Sequence, residues 1–177
     1  MSTDPTAHAA SAAGTATQLR RAFDESFAAP LSSQSERHED FLAIRVGPDR
    51  YGIRLAEIGG LHADLRIVPV PSPAAQLLGV VGIRGTMAPI YDLGAFLGYP
   101  PASGPRWSVL LRGPQSVGFA FDGFDAHLKV PAAALALGDA GNAAGGQHLY
   151  GTVRVAATLL PIIHLNSILP TLKGPKP

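Results

Sequence analysis

Six histidines, two neighbouring aspartates and a few serines are the residues of this chain that could do chemistry. His8, His38, His62, His127, His148 and His164 are scattered, and no two stand at metal-ligand spacing beside an acid. Asp122 and Asp125 would be a carboxylate pair for acid–base work, but positions three apart in a strand face opposite ways. Ser72, Ser108 and Ser116 carry no nucleophile signature, although a triad assembled from distant residues would need none. There is no Walker loop, GxGxxG, HExxH or GxSxG. No catalytic residue, metal or cofactor is expected. Arg84 is the charge that stands out. It interrupts the apolar run LLGVVGIRGTMAPIYDLGAFL from Leu77 to Leu97, where a guanidinium must reach water or a partner. Two roles are open to it: docking at a surface, or bracing the turn against an acid such as Asp92.

The elements that must position Arg84 can be read around it. Leu77 to Ile83 is rich in Leu, Val and Ile, as a largely buried strand is. Gly85 permits a tight reversal because it has no Cβ to clash at positive φ. Thr86 to Tyr91 returns as a second strand. Asp92 reads as a helix N-cap, and Gly98 stops the short turn that follows.

The same pattern recurs as LYGTVRVAATLLPIIHLNSIL from Leu149 to Leu169, at a constant offset of 72 residues and without a gap. Leu77 meets Leu149, Gly79 meets Gly151, Thr86 meets Thr158, Pro89 meets Pro161 and Leu97 meets Leu169. Upstream, VGPDRYGI from Val46 matches RGPQSVGF from Arg112 more loosely, at an offset of 66. Duplication into two similar halves accounts for these matches. Coincidence between apolar strands is the alternative.

Phe41–Val46 and Tyr51–Leu55 flank GPDR and read as a hairpin; Trp107–Leu111 and Val117–Phe121 flank GPQS and read as another. RIVPVPSP from Arg66 is extended, since each Pro fixes φ and biases its predecessor away from helix. Phe124–Val130 can add a strand, and strands are expected near 149–155 and 158–163. GYPPASGP, residues 98–105, is the natural seam between the halves. Short strands with Gly/Pro turns and little helix indicate an all-β fold of small barrels or a sandwich.

At 177 residues and 46% hydrophobic content the chain can bury a core. Its net charge of +1, with acids and bases mixed, argues against a strong pull toward nucleic acid or anionic membrane. It has no cysteine, which fits a cytoplasmic protein, and no apolar stretch of about 18 residues. Residues 1–17 are Ala/Ser/Thr-rich, and disorder is expected there. Leu19, Phe23 and Phe27 form one helical stripe over about 18–29, ended by Pro30. That helix either packs back on the main domain or docks on a partner. A polar linker leads to a globular part from about residue 39 to 172.

These residues resemble the CheW-like coupling proteins of bacterial chemotaxis signalling. The family's Tyr-x-Ile hairpin is matched by Tyr51, Gly52 and Ile53. Its Arg-Gly core is matched by Gly79, Val80, Ile83, Arg84, Gly85, Pro89, Ile90, Asp92 and Leu93. Gly118, Phe119 and Asp122, with Phe124 following, match a later element, and Gly151 with Ile162–Leu165 matches the close. The chain departs from the pattern at Gly82, where the family has Asn. It departs at Gly60 and Leu61, where the family has Glu-Ile, and at His164, an aspartate-like position.

The resemblance implies an all-β protein of two similar, intertwined five-stranded SH3-like or OB-like barrel halves, about 39–98 and 106–169, sharing a core. It implies a non-enzymatic adaptor without cofactor. Its implied partners are the regulatory domain of a CheA-like histidine kinase, itself built alike, and the cytoplasmic tip of methyl-accepting receptors. Ile58, Gly79, Arg84 and Gly85 are then the expected partner-binding positions, with a place in the core for Ile58 and a close approach of backbones at Gly79 as the alternatives. Pro89, Asp92, Gly118, Asp122 and Gly151 are the expected turn and core positions. Two rival classes make different demands. A nucleic-acid-binding OB-like barrel needs a basic face with interleaved aromatics, and the chain has three lysines. A small β-scaffold enzyme needs titratable groups converging on a pocket.

Overall fold

The computed structural model describes residues 37–101, 104–138 and 146–172. The expected disorder over 1–17, the helix at 18–29 and most of the linker lie outside the described residues; the last three residues of the polar linker, His38 to Asp40, are instead part of the first strand, where they pair with residues 129–131. The compact unit begins at His38.

Eleven strands follow one another among the described residues: β1 (His38–Val46), β2 (Asp49–Arg54), β3 (Ile58–Ala63), β4 (Leu77–Ile83), β5 (Thr86–Asp92), β6 (Trp107–Leu111), β7 (Gly118–Phe121), β8 (Gly123–Pro131), β9 (Leu135–Leu137), β10 (Leu149–Val155) and β11 (Thr158–Ile163). Two short helices, Leu93–Phe96 and Leu169–Leu172, follow β5 and β11. The first hairpin is tighter than its sequence suggested. Val46 pairs with Asp49 and Arg45 with Arg50, so only Gly47 and Pro48 turn. β3 was not expected, because Gly59-Gly60 dilutes its pattern; pairing with β6 supplies the order that propensity lacks.

The strands form two sheets, ordered β8-β1-β2-β11-β10-β9 and β3-β6-β7-β5-β4. Each sheet draws on both sequence halves. The first hairpin, β1–β2, joins the C-terminal sheet through a parallel pairing with β11. The second hairpin, β6–β7, joins the N-terminal sheet through a parallel pairing with β5. One sheet has five strands and the other six. The additional strand, β9, has its counterpart in the single bridge between Val68 and Val80.

Three apolar clusters hold this arrangement. The largest lies between the sheets and includes Leu42, Ile44, Tyr51, Ile53, Val109, Phe119, Phe121 and Ile163. A second, with Phe41, Ala43, Val153 and Ile162, belongs to the six-stranded sheet. A third, with Val81, Ala88, Ile90 and Ala120, belongs to the five-stranded sheet. Alternate residues of β1 therefore serve different cores, since side chains alternate across a strand. That is why FLAIRV is apolar at nearly every position.

Candidate interaction surface

Arg84 sits at the tip of the β4–β5 hairpin. The register Ile83↔Thr86 leaves two loop residues, and both have positive φ, +49° at Arg84 and +78° at Gly85. That is the signature of a type I′ turn, whose twist suits a hairpin. Gly85 accepts it freely; Arg84 pays a conformational cost of about 1 kcal/mol. Arg84 is exposed and makes no hydrogen bond or ion pair among the described residues. The bracing role does not hold. Asp92 lies at the far end of β5, is buried, and accepts a 2.9 Å hydrogen bond from the Gly94 amide as the N-cap of the helix Leu93–Phe96.

The remaining expected positions lie deeper. Ile58 is 4% exposed and belongs to the core between the sheets, so its side chain supports the surface from beneath. Gly79 is buried at a bulge where β4 shifts register against β5. A Cβ there would lie 2.2 Å from the Val68 carbonyl oxygen, so only glycine fits. Gly151 is placed alike, with the Ala136 carbonyl 2.2 Å from its would-be Cβ. Gly118 packs against Ile90 and Leu110 with no room for a side chain. Pro89 is half-buried in β5 opposite Val80. The Asp122 carboxylate accepts from the Gly47 amide at 2.6 Å and ties the first turn to β7–β8.

Beside Arg84 is a notch of about 340 Å³ between β3 and the β4–β5 hairpin. Gly59, Gly60, His62, Arg84, Thr86 and Ser116 are among its lining, and no carboxylate is. His62 folds back over Gly60, its Nε2 2.8 Å from where a Cβ would stand. The acid that follows β3, Asp64, is paired with Arg106 at 3.3 Å.

A polar cluster at the end of the other sheet escaped the sequence reading. His164 stands where Asp92 stands in the first half, and its side chain makes no cap for the turn Leu165–Ser167. Glu57, from the distant first half, supplies the carboxylate instead. It accepts from the Asn166 amide at 3.4 Å and lies 3.8 Å from His164 Nε2. Burial raises the Glu57 pKa, opposed by the charge of His164, the Leu165 and Asn166 amides and Arg54. Arg54 pairs with Glu39 at 3.0 Å and lies 4.2 Å from the centre of the Tyr150 ring. The exchange of Asp92 for His164 in the offset repeat was the available signal.

Among the described residues, the candidate catalytic groups are engaged elsewhere. Asp125 bridges Arg45 and Arg50 at 2.9 Å each, while Asp122 is engaged with Gly47. The Ser72 hydroxyl accepts from the Ala74 amide. His148 is buried beside Ser167 Oγ at 3.2 Å, but its other nitrogen faces the Gln147 amide rather than an acid. No group of three or more potential metal ligands converges among the described residues. No described Phe, Tyr or Trp falls among the exposed residues, whereas a single-strand binder presents such rings for stacking.

Comparison with known proteins agrees with this geometry. FrzA of Myxococcus xanthus is 27% identical over 139 residues, covering 77% of this chain and 87% of FrzA. A probable chemotaxis protein CheW of Rhizobium etli is 30% identical over 86 residues, covering 49% of this chain and 54% of that protein. The crystal structure of the scaffolding protein TtCheW of Thermoanaerobacter tengcongensis superposes with a TM-score of 0.66 at 15% identity, over 73% of this chain and 90% of that one. At that identity the likeness speaks for the fold. Residues 40–173 match the CheW-like domain, and the chain belongs to the CheW-like family.

Proposed function

We propose that the protein is a non-enzymatic scaffold in a chemotaxis or chemotaxis-like pathway. In this reading it couples the regulatory domain of a CheA-like histidine kinase to the cytoplasmic tip of methyl-accepting receptors. The observation that carries the reading is the CheW-like domain spanning residues 40–173. The unpaired, exposed Arg84 at the tip of a conformationally costly turn supports it, since a folding role would not need an arginine there. A scaffold transmits signal by binding partner states unequally, and rigid sheets with exposed tips suit that work. Among the described residues no helix is long and apolar enough to cross a membrane. Association with receptor arrays would then come from the receptors.

Arg84→Glu tests this reading. The substitution removes no described contact, so stability should change by no more than about 0.5 kcal/mol. Affinity for the purified kinase regulatory domain of the source organism should fall by about 2 kcal/mol, roughly 30-fold. A wild-type protein that binds neither that domain nor a receptor-tip fragment would end the scaffold reading.

A further inference from the structure

The turns of β1–β2 and β6–β7 each form one wall of a socket, and only the first socket is filled. There the turn at Gly47 faces the helix Leu93–Phe96, and Tyr99 lies between them, its Cδ1 3.0 Å from where a Gly47 Cβ would stand. The Tyr99 hydroxyl is bonded to Asp49 and to the Tyr51 hydroxyl. Gly98 makes this possible. Its φ of +84° ends the helix, and the Tyr99 amide donates back to the Gly94 carbonyl at 2.9 Å. In the second copy, the repeat offsets of 66 and 72 put Gly113 in place of Gly47, Asn166 of Gly94, Pro170 of Gly98 and Thr171 of Tyr99. Proline holds φ at about −65° and cannot take the left-handed turn. The chain runs on as the helix Leu169–Leu172, and Thr171 lines a different cavity, its hydroxyl donating to the Ile168 carbonyl. The second socket is thus left without a ring. A Cβ on Gly113 would meet nothing within 4 Å. Leu97 and Gly94 are buried in the first copy, whereas Leu169 is half-buried and Asn166 exposed in the second. The groove left there measures about 510 Å³, against about 350 Å³ beside Tyr99.

We infer that this groove receives the ring of a tyrosine carried on an acidic segment of another protein. The inference goes beyond the scaffold reading and does not depend on it. The ring follows from the filled copy. Leu111, Pro114 and Leu169 give the groove apolar walls. Gln115 stands where Asp49 meets the Tyr99 hydroxyl in the first copy. Its side chain makes no hydrogen bond among the described residues, so its amide oxygen is open to a phenolic donor. The acidic segment follows from charge. Arg112 replaces Val46 of the first copy and is the one charged residue among the described lining. Glu57, which accepts from the Asn166 amide, is 10% exposed and takes no part in that lining. A guanidinium at the rim attracts carboxylates and stacks on ring faces, and it repels a basic segment. A chain-borne ring follows from the rim. Gly113, Pro114 and Pro170 are exposed, which leaves the entrance open to a ring whose backbone stays at the surface, as Tyr99 is presented in the first copy.

Peptide titrations of the full chain test this, with the amide signals of Gly113 and Asn166 followed by NMR and melting temperatures measured alongside. Acetyl-Glu-Tyr-Glu amide should shift both signals with a dissociation constant of about 1 mM, as suits one well-seated side chain. The peptide with leucine in place of tyrosine should bind about tenfold more weakly or worse. The peptide with lysines in place of the glutamates should bind about threefold more weakly. 4-Methylphenol, the ring alone, should also bind more weakly than the acidic peptide. Pro170→Gly/Thr171→Tyr gives the second copy the turn and ring of the first. It should keep or raise the melting temperature and weaken the tyrosine peptide by about tenfold or more. Gln115→Ala, a change at an exposed turn, should bring the tyrosine peptide down to the affinity of its phenylalanine counterpart. Peptide shifts that persist in the folded double variant, or equal binding of the leucine and tyrosine peptides, would overturn the inference. Equal binding of the lysine peptide would overturn the acidic partner. 4-Methylphenol binding as tightly as the acidic peptide would make the groove a small-molecule site, and shifts on simple dilution would make a second copy of the chain the occupant; either result overturns the proposal. If no probe shifts the two signals at about 10 mM, the groove takes no ring at all.

Discussion

The β4–β5 and β10–β11 hairpins are the same object made twice, and the places where they differ say more than those where they agree. Their first strands have identical burial, position by position. Both carry a glycine at a bulge, and both press that glycine against a neighbouring carbonyl at 2.2 Å. Gln76 and His148 occupy matching sites, each accepting a backbone hydrogen bond through its carbonyl oxygen, from Asp92 and His164 respectively. Agreement is confined to backbone geometry and buried volume. The differences lie at the turn, where Arg84-Gly85 faces Ala156-Ala157, and at the strand ends, where Asp92 faces His164 and Gln76 faces His148. The N-terminal copy puts an unpaired charge in the turn itself. The C-terminal copy has an uncharged turn, with Arg154 set back in the strand, and places two histidines at the strand ends.

The largest expected effect tests the equivalence itself. Gly79→Ala and Gly151→Ala each drive a Cβ into a carbonyl oxygen, and no flexible side chain can move out of the way. Each should destabilise by about 3 kcal/mol or more, read by urea denaturation. Similar losses in both would show one structural requirement met twice. A tolerated substitution at either site would mean that its bulge opens and that the two hairpins are not equivalent.

The next effect separates the caps. Asp92→Ala removes a side-chain acceptor from a helix N-terminus and should cost about 1 to 2 kcal/mol. His164→Ala removes no cap and should cost about 0.5 kcal/mol or less. Glu57→Ala should cost about 1 kcal/mol, although it lies 107 residues from His164 in sequence, because it holds the turn that His164 does not. If Glu57→Ala is silent and His164→Ala is costly, the borrowed cap is not the one in use.

That cap also marks the limit of what the sequence carries. The repeat, the strands at 149–155 and 158–163, and the Arg84-Gly85 reversal are local patterns, and each is present in the structure. The exchange of hairpins between sheets is not local. Which strand β2 pairs with is settled by the shared core, where Ile53 and Ile163 meet, and an alternating apolar pattern fits many partners. Gly60 could be seen as a departure, but the absence of acids around Arg84 could not, because the notch joins β3, β4, β5 and β6 from distant parts of the chain. Ile58 illustrates the opposite difficulty. Its family position suggests a surface role, whereas burial, which only the fold reveals, puts it in the core.

A smaller effect distinguishes the two tips. Arg84 and Ala156 both have φ near +50°, where an L-residue is strained and glycine is not. Arg84→Gly and Ala156→Gly should each stabilise the protein, by about 1 kcal/mol or less after the larger entropy of the unfolded chain is counted. Thermal denaturation should therefore show the same direction for both. Binding of the kinase regulatory domain should weaken for Arg84→Gly alone. Equal binding by both variants would remove the tip from the contact surface and leave the arginine without a function.

The smallest effect concerns pH, and it follows from Gln76 facing His148. Gln76 does not titrate. His148 is 4% exposed, meets Ser167, Gln147 and the Phe96 ring, and has a pKa pushed below its ordinary 6.5 by burial. Unfolded, the same ring takes a proton as pH falls through 6.5; folded, it resists. The unfolded state therefore binds more protons in that window, and stability is lost as pH drops from about 6.5 toward the folded pKa. Glu57 acts in the opposite sense. Its folded pKa lies above the ordinary 4.5, so the folded state holds the extra proton, and its contribution weakens as pH rises from about 4.5 through the folded value. Denaturation midpoints between about pH 7.5 and about pH 5.5 should thus fall on acidification in the wild type. They should fall less in His148→Gln, which makes the second strand end resemble the first. Glu57→Gln should alter the profile only toward the acidic end. An unchanged slope in His148→Gln would show that the charge asymmetry between the two halves has no bearing on stability near neutral pH.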